Sequence, residues 1–394
     1  MDPGIFAALA TGGAPSTARR LFVEGRRWGL VGRTIPDRPG AMDKSGDKGV
    51  SIKDIAREAG VSIATVSRVL NRGEGAGPEV RSRVLEIVER LGYRPNVSAR
   101  ALSGRRNYLI GVLFLRLGGY HYLGEVQLGA TRACRRAGYH LLVEQIESAD
   151  GMPSPEALAA FVRSAAFDGL ILTPPLSDDS HLLAAIEDAA IPYVRLAPNS
   201  DEARSPYVWM DDQEAAREQT LALWDLGHRR IAYIDGPAGH RAAVRRKAGY
   251  LAAMAERGVS VPSAWIAQGD FFGMSGFNAT EALLALEPAP TAIFAGNDEM
   301  AIGALAAAAK HRVAVPERLS VVGFDNAPGG ETSWPPLTTV HQPIAEMAEA
   351  AVDMLIGGFG DRRFRARVQE RKLDYRLVRR QSAARAPSDI HLAP

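Results

Sequence analysis

The run Ser51-Ile52-Lys53-Asp54-Ile55-Ala56-Arg57-Glu58-Ala59-Gly60-Val61-Ser62-Ile63-Ala64-Thr65-Val66-Ser67-Arg68-Val69-Leu70-Asn71 sets two short amphipathic stretches on either side of a glycine. Ile55, Ala59, Val61, Val66 and Val69 fall where two crossed helices must bury side chains, and Ala56 is small enough to let them approach. Gly60 stands at the turn, where a positive φ is cheap only for glycine, and Ser62 is placed to cap the second helix. The outer face of that second helix then carries Ile63, Ala64, Thr65, Ser67 and Arg68, side chains short and polar enough to approach base edges in a DNA groove. Such residues recognise and do not make or break bonds. An ordinary helical hairpin is the plainer reading, but the glycine, the cap and five apolar positions agree on a helix-turn-helix.

The flanking elements support that face. Ser51–Gly60, Ser62–Asn71 and Pro78–Leu91 each show helical apolar spacing, and Gly92-Tyr93-Arg94-Pro95 ends the third. A short helical stretch, Asn96–Leu102, follows. Residues 50–106 carry 11 Lys/Arg against 6 Asp/Glu, whereas residues 107–394 carry 28 against 34. A basic segment on an acidic body is the charge pattern of a chain that meets a polyanion through its N-terminal part. Residues 1–48 scatter Gly, Pro, Arg and Thr without an apolar period. They read as a disordered extension or a start assigned too early, with Met42 as the alternative start.

From Leu109 onward short apolar runs alternate with amphipathic helices. The runs are Leu109–Leu115, His140–Glu144, Gly169–Thr173, Tyr193–Leu196, Arg230–Asp235, Thr291–Ala295 and Ser320–Phe324. The helices include Glu125–Ala137, Gln213–Leu226, Ala242–Arg257, Ser275–Leu286 and Asn297–His311. This alternation predicts βαβ units and parallel sheets, and the length suits two lobes better than one. The 394 residues, 46% hydrophobic and 23% charged, fit packed globular cores. No apolar run reaches the roughly 18–20 residues that span a bilayer. The lone Cys134 excludes an intramolecular disulfide, which suits a reducing cytoplasm.

The sequence resembles the LacI/GalR family of bacterial transcription regulators from Ser51 to about Arg380. The most specific stretches are Ile52-Lys53-Asp54-Ile55-Ala56, Gly60-Val61-Ser62, Ala64-Thr65-Val66-Ser67-Arg68-Val69-Leu70-Asn71 and Leu91-Gly92-Tyr93-Arg94-Pro95-Asn96. Gly77 departs from the Ser or Thr usual before Pro78-Glu79, which weakens the cap of the third helix. The resemblance implies a small all-α helix-turn-helix DNA-binding domain followed by a two-lobed α/β, periplasmic-binding-protein-like effector domain. The expected boundaries are 49–94 for the head, 95–106 for a hinge helix and 107–380 for the effector and dimerisation domain. Within it, lobe 1 takes about 107–207 plus 325–338, lobe 2 takes about 208–324 plus 341–380, and 381–394 is a tail.

It also implies roles. Ile63 and Ala64 occupy the main specificity-setting positions of the groove helix, with Ser62, Thr65, Ser67, Arg68 and Asn71 around them. Both are apolar, so they would read thymine methyls or shape. Asn96, Ala99 and Arg100 would lie along the hinge helix, and Leu102 would wedge into a central minor-groove step. For Leu102 the plainer reading is a residue covering the lobe below. Arg100, Arg105 and Arg106 would serve phosphates or stand as solvated charge. In the cleft between the lobes the resemblance assigns Arg246, Asn297, Asp325 and Gln342 to the ligand, and Tyr122 and Leu123 to an aromatic wall. The stretch Gly118-Gly119-Tyr120-His121-Tyr122 departs from the commoner Asn-Pro-Phe-Phe. Arg195 could bind a ligand carboxylate or pair with a neighbouring acid, and Asp298 is expected to cap the helix after it.

An Arg, Asn, Asp, Gln set flanked by aromatics suits a hydroxyl-rich ligand, a sugar or sugar derivative. The whole implies a cytoplasmic homodimeric regulator, most simply a repressor, on a pseudo-palindromic operator, with no cofactor, metal or membrane partner. The C-terminal 381–394 shows no heptad pattern to join dimers into tetramers. An α/β enzyme is the first rival, but no phosphate-binding loop, nucleophile elbow or clustered metal ligands stand in the sequence. A sugar-binding protein without a DNA-linked role is the second, and it has no use for the helix-turn-helix.

Overall fold

The computed structural model describes residues 50–72, 76–93, 106–115, 120–146, 154–164, 166–361, 364 and 368–387, without the side chains of 71, 72 and 120. Two compact units divide at Arg94 and Pro95. Among the described residues no helix is long and apolar enough to cross a membrane.

The first unit is three helices: α1 (Ile52–Ala59), α2 (Ile63–Arg72) and α3 (Pro78–Arg90). Gly60 ends α1 with φ 65°, and the amide of Val61 returns to the carbonyl of Ala56 at 3.0 Å, which turns the chain sharply enough to start α2. Ser62 Oγ accepts from the amide of Thr65 at 3.1 Å, the expected cap. Gly77 precedes α3 and supplies no side-chain bond, as its residue type dictates. Ile55, Ala56, Ala59, Val66, Val69, Val84 and Ile87 form the core, with Val61 packed at its edge.

The second unit holds two parallel sheets. The first runs in the order β11-β5-β4-β3-β1-β2, from β1 (Leu109–Phe114), β2 (His140–Gln145), β3 (Gly169–Leu172), β4 (Tyr193–Leu196), β5 (Tyr207–Trp209) and β11 (Glu370–Lys372). The second runs β7-β6-β8-β9, from β6 (Ile231–Asp235), β7 (Ile266–Gln268), β8 (Ala292–Ala295) and β9 (Ser320–Val322). Between strands lie α4 (Tyr120–Ala137), α5 (Pro155–Ser164), α6 (Ser180–Asp188), α7 (Asp212–Asp225), α8 (Arg241–Glu256), α9 (Gly273–Leu284), α10 (Asp298–Lys310), α11 (Pro328–Thr332) and α12 (Ile344–Gly357). β10 (Thr339–His341) and β12 (Arg376–Val378) pair antiparallel, Val340 opposite Leu377, so two crossings between the lobes run side by side.

The lobe boundaries differ from the sequence expectation in three places. β11 pairs with β5, Arg371 opposite Val208, so 370–372 closes the edge of the first lobe's sheet. α12 packs on α4, with Arg136 bonded to Asp353 at 2.8 Å, so 344–357 also belongs to the first lobe. Conversely, Leu337 is buried with Ala232, Ile293 and Val321 of the second sheet, so 327–337 belongs to the second. A strand of three residues shows no readable period, and the apolar helix 344–357 matches either lobe equally well. Nor is the end of the chain a loose tail from 381. Ser382 is buried, donating to the carbonyl of Val321 at 2.6 Å and accepting from the amide of Thr338 at 2.8 Å.

Candidate functional site

In the first unit, Ser62, Ile63, Ala64 and Arg68 are exposed, Ile63 at 45%, while Thr65 and Ser67 are half-buried. A large apolar side chain left in water at the start of a helix, between a capping serine and an arginine, has no role in the three-helix core. Arg68 Nε donates to the carbonyl of Ala64 at 3.4 Å. The helical backbone of α2 includes Asn71. Asn96, Ala99, Arg100, Leu102 and Arg105 lie outside the described residues. Arg106 is exposed, donates to the hydroxyl of Tyr139 at 3.2 Å and lies over the ring of Phe359.

The cleft of the second unit opens where strand ends from both sheets converge, the position that open α/β sheets offer a ligand. Phe114, Gln145, Thr173 and Ala197 come from strand ends of the first lobe, Asn297 and Asp325 from the second. Arg246 is its centre. Its Nε donates to Asp212 Oδ1 at 2.8 Å, Nη1 to the carbonyl of Gly296 at 2.8 Å and to Asp325 Oδ1 at 3.4 Å, and Nη2 to Gln342 Oε1 at 3.1 Å. The guanidinium lies 3.7 Å over the ring of Phe324. A Cβ on Gly249 would run into the carbonyl of Gln213, so this glycine lets α8 approach α7 closely enough for Arg246 to reach Asp212. Burial alone would depress this guanidinium, but Asp212 and Asp325 hold its proton more tightly than usual.

Asp325 sits at φ 120°, a conformation an L residue adopts only when its surroundings hold it. Its amide donates to the carbonyl of Val340 at 2.8 Å, which fixes the backbone between the second lobe and the crossing strands. Burial pushes its carboxyl up to about 7, and Arg246 only partly offsets that. Tyr122 and Leu123 line the cleft from α4, as do His121 from α4 and His240, the residue before α8. Burial holds both imidazoles below the ordinary histidine range, His240 at about 4 with Arg246 adding to the effect.

Six of the seven expected cleft residues therefore meet: Tyr122, Leu123, Arg246, Asn297, Asp325 and Gln342. Arg195 does not. It is fully buried and donates to Ser205 Oγ and to the carbonyls of Ser177, Ser200 and Asp201, so it neither faces a ligand nor pairs with an acid. Asn297 borders the cleft with its carboxamide already engaged, accepting from Met300 N at 2.9 Å and donating to the carbonyl of Phe271 at 3.0 Å. It, and not Asp298, caps α10. Asp298 turns inward, accepting from the amide of Ala327 at 2.6 Å and meeting Thr339 Oγ1 at 2.5 Å.

The sequence reading passed over Phe114, Asp212, His240, Phe271 and Glu299. Asp212 had a signal. Asp211 caps α7 by accepting from Glu214 N at 3.2 Å, and a helix start needs only one such acceptor. The second acid of Asp211-Asp212, like that of Asn297-Asp298, is left over for another partner. Among the described residues no group of three or more His, Cys, Asp or Glu is placed to hold a metal.

Burial, with Asp325 second, pushes the Asp298 carboxyl up to about 8. A carboxyl that keeps its proton longer folded than unfolded makes the native state bind more protons between its ordinary value of 3.8 and its raised one. Its contribution to stability is therefore greatest at low pH and falls as pH rises through that window. Asp298→Asn can keep both contacts, donating to Thr339 and accepting from Ala327, without a charge. Denaturant midpoints measured from pH 5 to pH 9 should converge at the acid end and favour the variant at the alkaline end. A wild type that stays ahead at pH 9 would show that an ionised Asp298 is needed.

Two family models match the chain: "Bacterial regulatory proteins, lacI family" over residues 51–96 and "Periplasmic binding protein-like domain" over residues 220–383. Catabolite control protein A of Priestia megaterium is 34% identical over 310 residues, spanning 78% of this chain and 91% of that protein. The HTH-type transcriptional repressor PurR of Klebsiella pneumoniae is 33% identical over 343 residues, spanning 86% and 98%. Among solved structures, the lac repressor dimer bound to operator and the anti-inducer ONPF superposes with a TM-score of 0.67 at 28% identity, covering 86% of this chain and 100% of that one. The transcriptional regulator CelR in complex with cellobiose gives 0.63 at 28%, covering 85% and 100%.

Proposed function

This chain belongs to the lacI family of bacterial regulatory proteins, and from that premise we propose how its two units divide the work. It is a DNA-binding transcription regulator governed by a small molecule. The first unit reads DNA through α2. Ile63 and Ala64 press on base edges in the major groove, and Ser62, Thr65, Ser67, Arg68 and Asn71 contact flanking bases and phosphates. Residues 95–106 form the hinge, with Asn96, Ala99 and Arg100 along the minor groove and Leu102 as the wedge. The protein works as a cytoplasmic homodimer on a pseudo-palindromic operator and is not an enzyme. Lac repressor has been solved as a dimer on its operator, which supports this arrangement.

The observation that carries the ligand reading is the Arg246 network, in which Asp212, Asp325 and Gln342 meet one guanidinium in a cleft that strand ends of both lobes line. Side chains from two lobes that share a cleft respond to a ligand by closing on it. Closure changes how the first lobes of the two subunits meet, and the hinge transmits that to operator affinity. The ligand is a sugar or sugar derivative. CelR holds cellobiose and the lac repressor structure holds ONPF, which supports that class.

Selection of duplex DNA from a randomised pool by the full chain tests the DNA half. The expected product is a palindrome whose half-site centres lie about one helical turn apart. Leu102→Ala should then weaken binding to that site while leaving the salt-dependent grip on random duplex largely intact. Failure to enrich any palindrome, with or without candidate sugars, would overturn the assignment.

A further inference from the structure

We propose that the cleft ligand is a hydroxylated compound bearing a protonated amine, an amino sugar in its simplest form, and that Glu299 receives the amine. This rests on the reading of the cleft as the effector site and names the chemistry it selects. The first argument is charge. Among the described residues, Asp212, Glu299 and Asp325 line the cleft against one guanidinium, Arg246, so carboxyl groups outnumber cations there even though burial raises the Asp325 and Glu299 carboxyls. Arg246 is already held by Asp212 at 2.8 Å and touches Asp325, so it offers an incoming anion no free positive charge. The cation a ligand carboxylate would want, Arg195, is buried elsewhere on backbone carbonyls. The neutral His121 and His240 do not redress the balance.

The second argument is an unmet acceptor. Glu299 stands in the first turn of α10, half-buried, and no described side chain or amide bonds its carboxylate. The helix N-terminus favours a negative charge there but does not occupy its oxygens. Across the cleft, Asp178 uses Oδ1 on the amides of Asn199 and Ser200, while its Oδ2 is buried with no partner among the described residues. Its charge reaches His240 on the cleft wall, so it adds to the same negative field. The third argument is the apolar lining. Phe114, Tyr122 and Phe271 present rings to the cleft, and aromatic faces attract an ammonium as well as the C–H face of a sugar ring. A neutral sugar would use the rings and give Glu299 an uncharged hydroxyl; an ammonium uses the rings and gives Glu299 a charge-assisted bond.

The test is calorimetric titration of the full chain at neutral pH with charge-matched sets. D-Glucosamine, D-glucose and D-glucuronate form one set; D-galactosamine, D-galactose and D-galacturonate form the other. The expected result is that one amine binds at least about tenfold more tightly than its neutral partner, and that the acid does not bind. Glu299→Gln should erase that preference, the amine losing about tenfold more affinity than the neutral sugar does. An acid or a neutral sugar that binds as tightly as the amine would overturn the proposal, and so would a blank for every amine. A sugar that binds equally to wild type, Glu299→Gln and Asp325→Ala would overturn the cleft assignment itself.

Discussion

Replacing Arg246 by methionine should destabilise the second unit by about 3–5 kcal/mol, the usual cost of removing one partner from a buried ion pair. Methionine fills much of the same volume over Phe324, so the loss measures charge and hydrogen bonds rather than a cavity. Asp212 would be left buried without its donor at 2.8 Å, and the carbonyl of Gly296 and the Gln342 amide oxygen would lose theirs. Denaturant unfolding monitored by tryptophan fluorescence would read the effect. Asp212→Asn on the Arg246→Met background should recover part of the loss, because it removes the charge that has become expensive. A midpoint within about 0.5 kcal/mol of wild type would show that the two carboxyls simply take up protons and that the network is not structural. Ligand response should vanish in either variant, which separates binding from folding when the double variant refolds.

Arg195→Met should cost a similar amount, about 3–5 kcal/mol, for a different reason. Its guanidinium meets no carboxylate and instead gathers the carbonyls of Ser177, Ser200 and Asp201 with the hydroxyl of Ser205. Burial without an acid in contact holds its pKa below the ordinary arginine value. Removing it strands the carbonyls of Ser177 and Ser200, while that of Asp201 keeps the amide of Arg204 at 2.9 Å, and each unmet buried acceptor costs roughly 1–3 kcal/mol. The segment it organises ends on the other lobe: the carbonyl of Asn199 accepts from Arg241 at 3.2 Å and Glu202 meets Arg245 at 3.5 Å. Amide exchange across 199–205 should therefore accelerate well beyond the global change. Unchanged exchange there would show that the loop is held by Asp178 and not by Arg195.

The helix-turn-helix was legible residue by residue, because a turn glycine, a cap and a buried apolar set constrain each other within 21 residues. The central strands of both sheets were legible too, since each is a run of buried apolar residues bounded by turns. Strands such as Tyr207–Trp209 and Glu370–Lys372 were not. They are three residues long, and Glu370, Arg371 and Lys372 are all exposed, so pairing alone makes them a strand. In the cleft, resemblance led to Arg246, Asp325 and Gln342, whereas Asp212 needed the observation that Asp211 had already met the helix start. Arg195 misled because a charged residue in an apolar strand suggests a ligand, and its acceptors are carbonyls that no sequence displays. Glu299 was hidden because a carboxylate in a first helical turn is ordinary.

The strand at 370–372 has a consequence for synthesis. The first lobe's sheet is closed on one edge by residues that leave the ribosome some 160 positions after the strand they join, and α12, which covers α4, also comes late. Until then the nascent chain holds an open edge at Tyr207–Trp209 and a bare apolar flank on α4. The second lobe has all four strands of its own sheet within residues 231–322, but its edge strand β9 is also closed late, by Ser382 on Val321. Both lobes therefore wait for residues beyond 369. A chain interrupted before residue 370 would carry an unpaired strand and an uncovered helix, the two features that most readily recruit another chain.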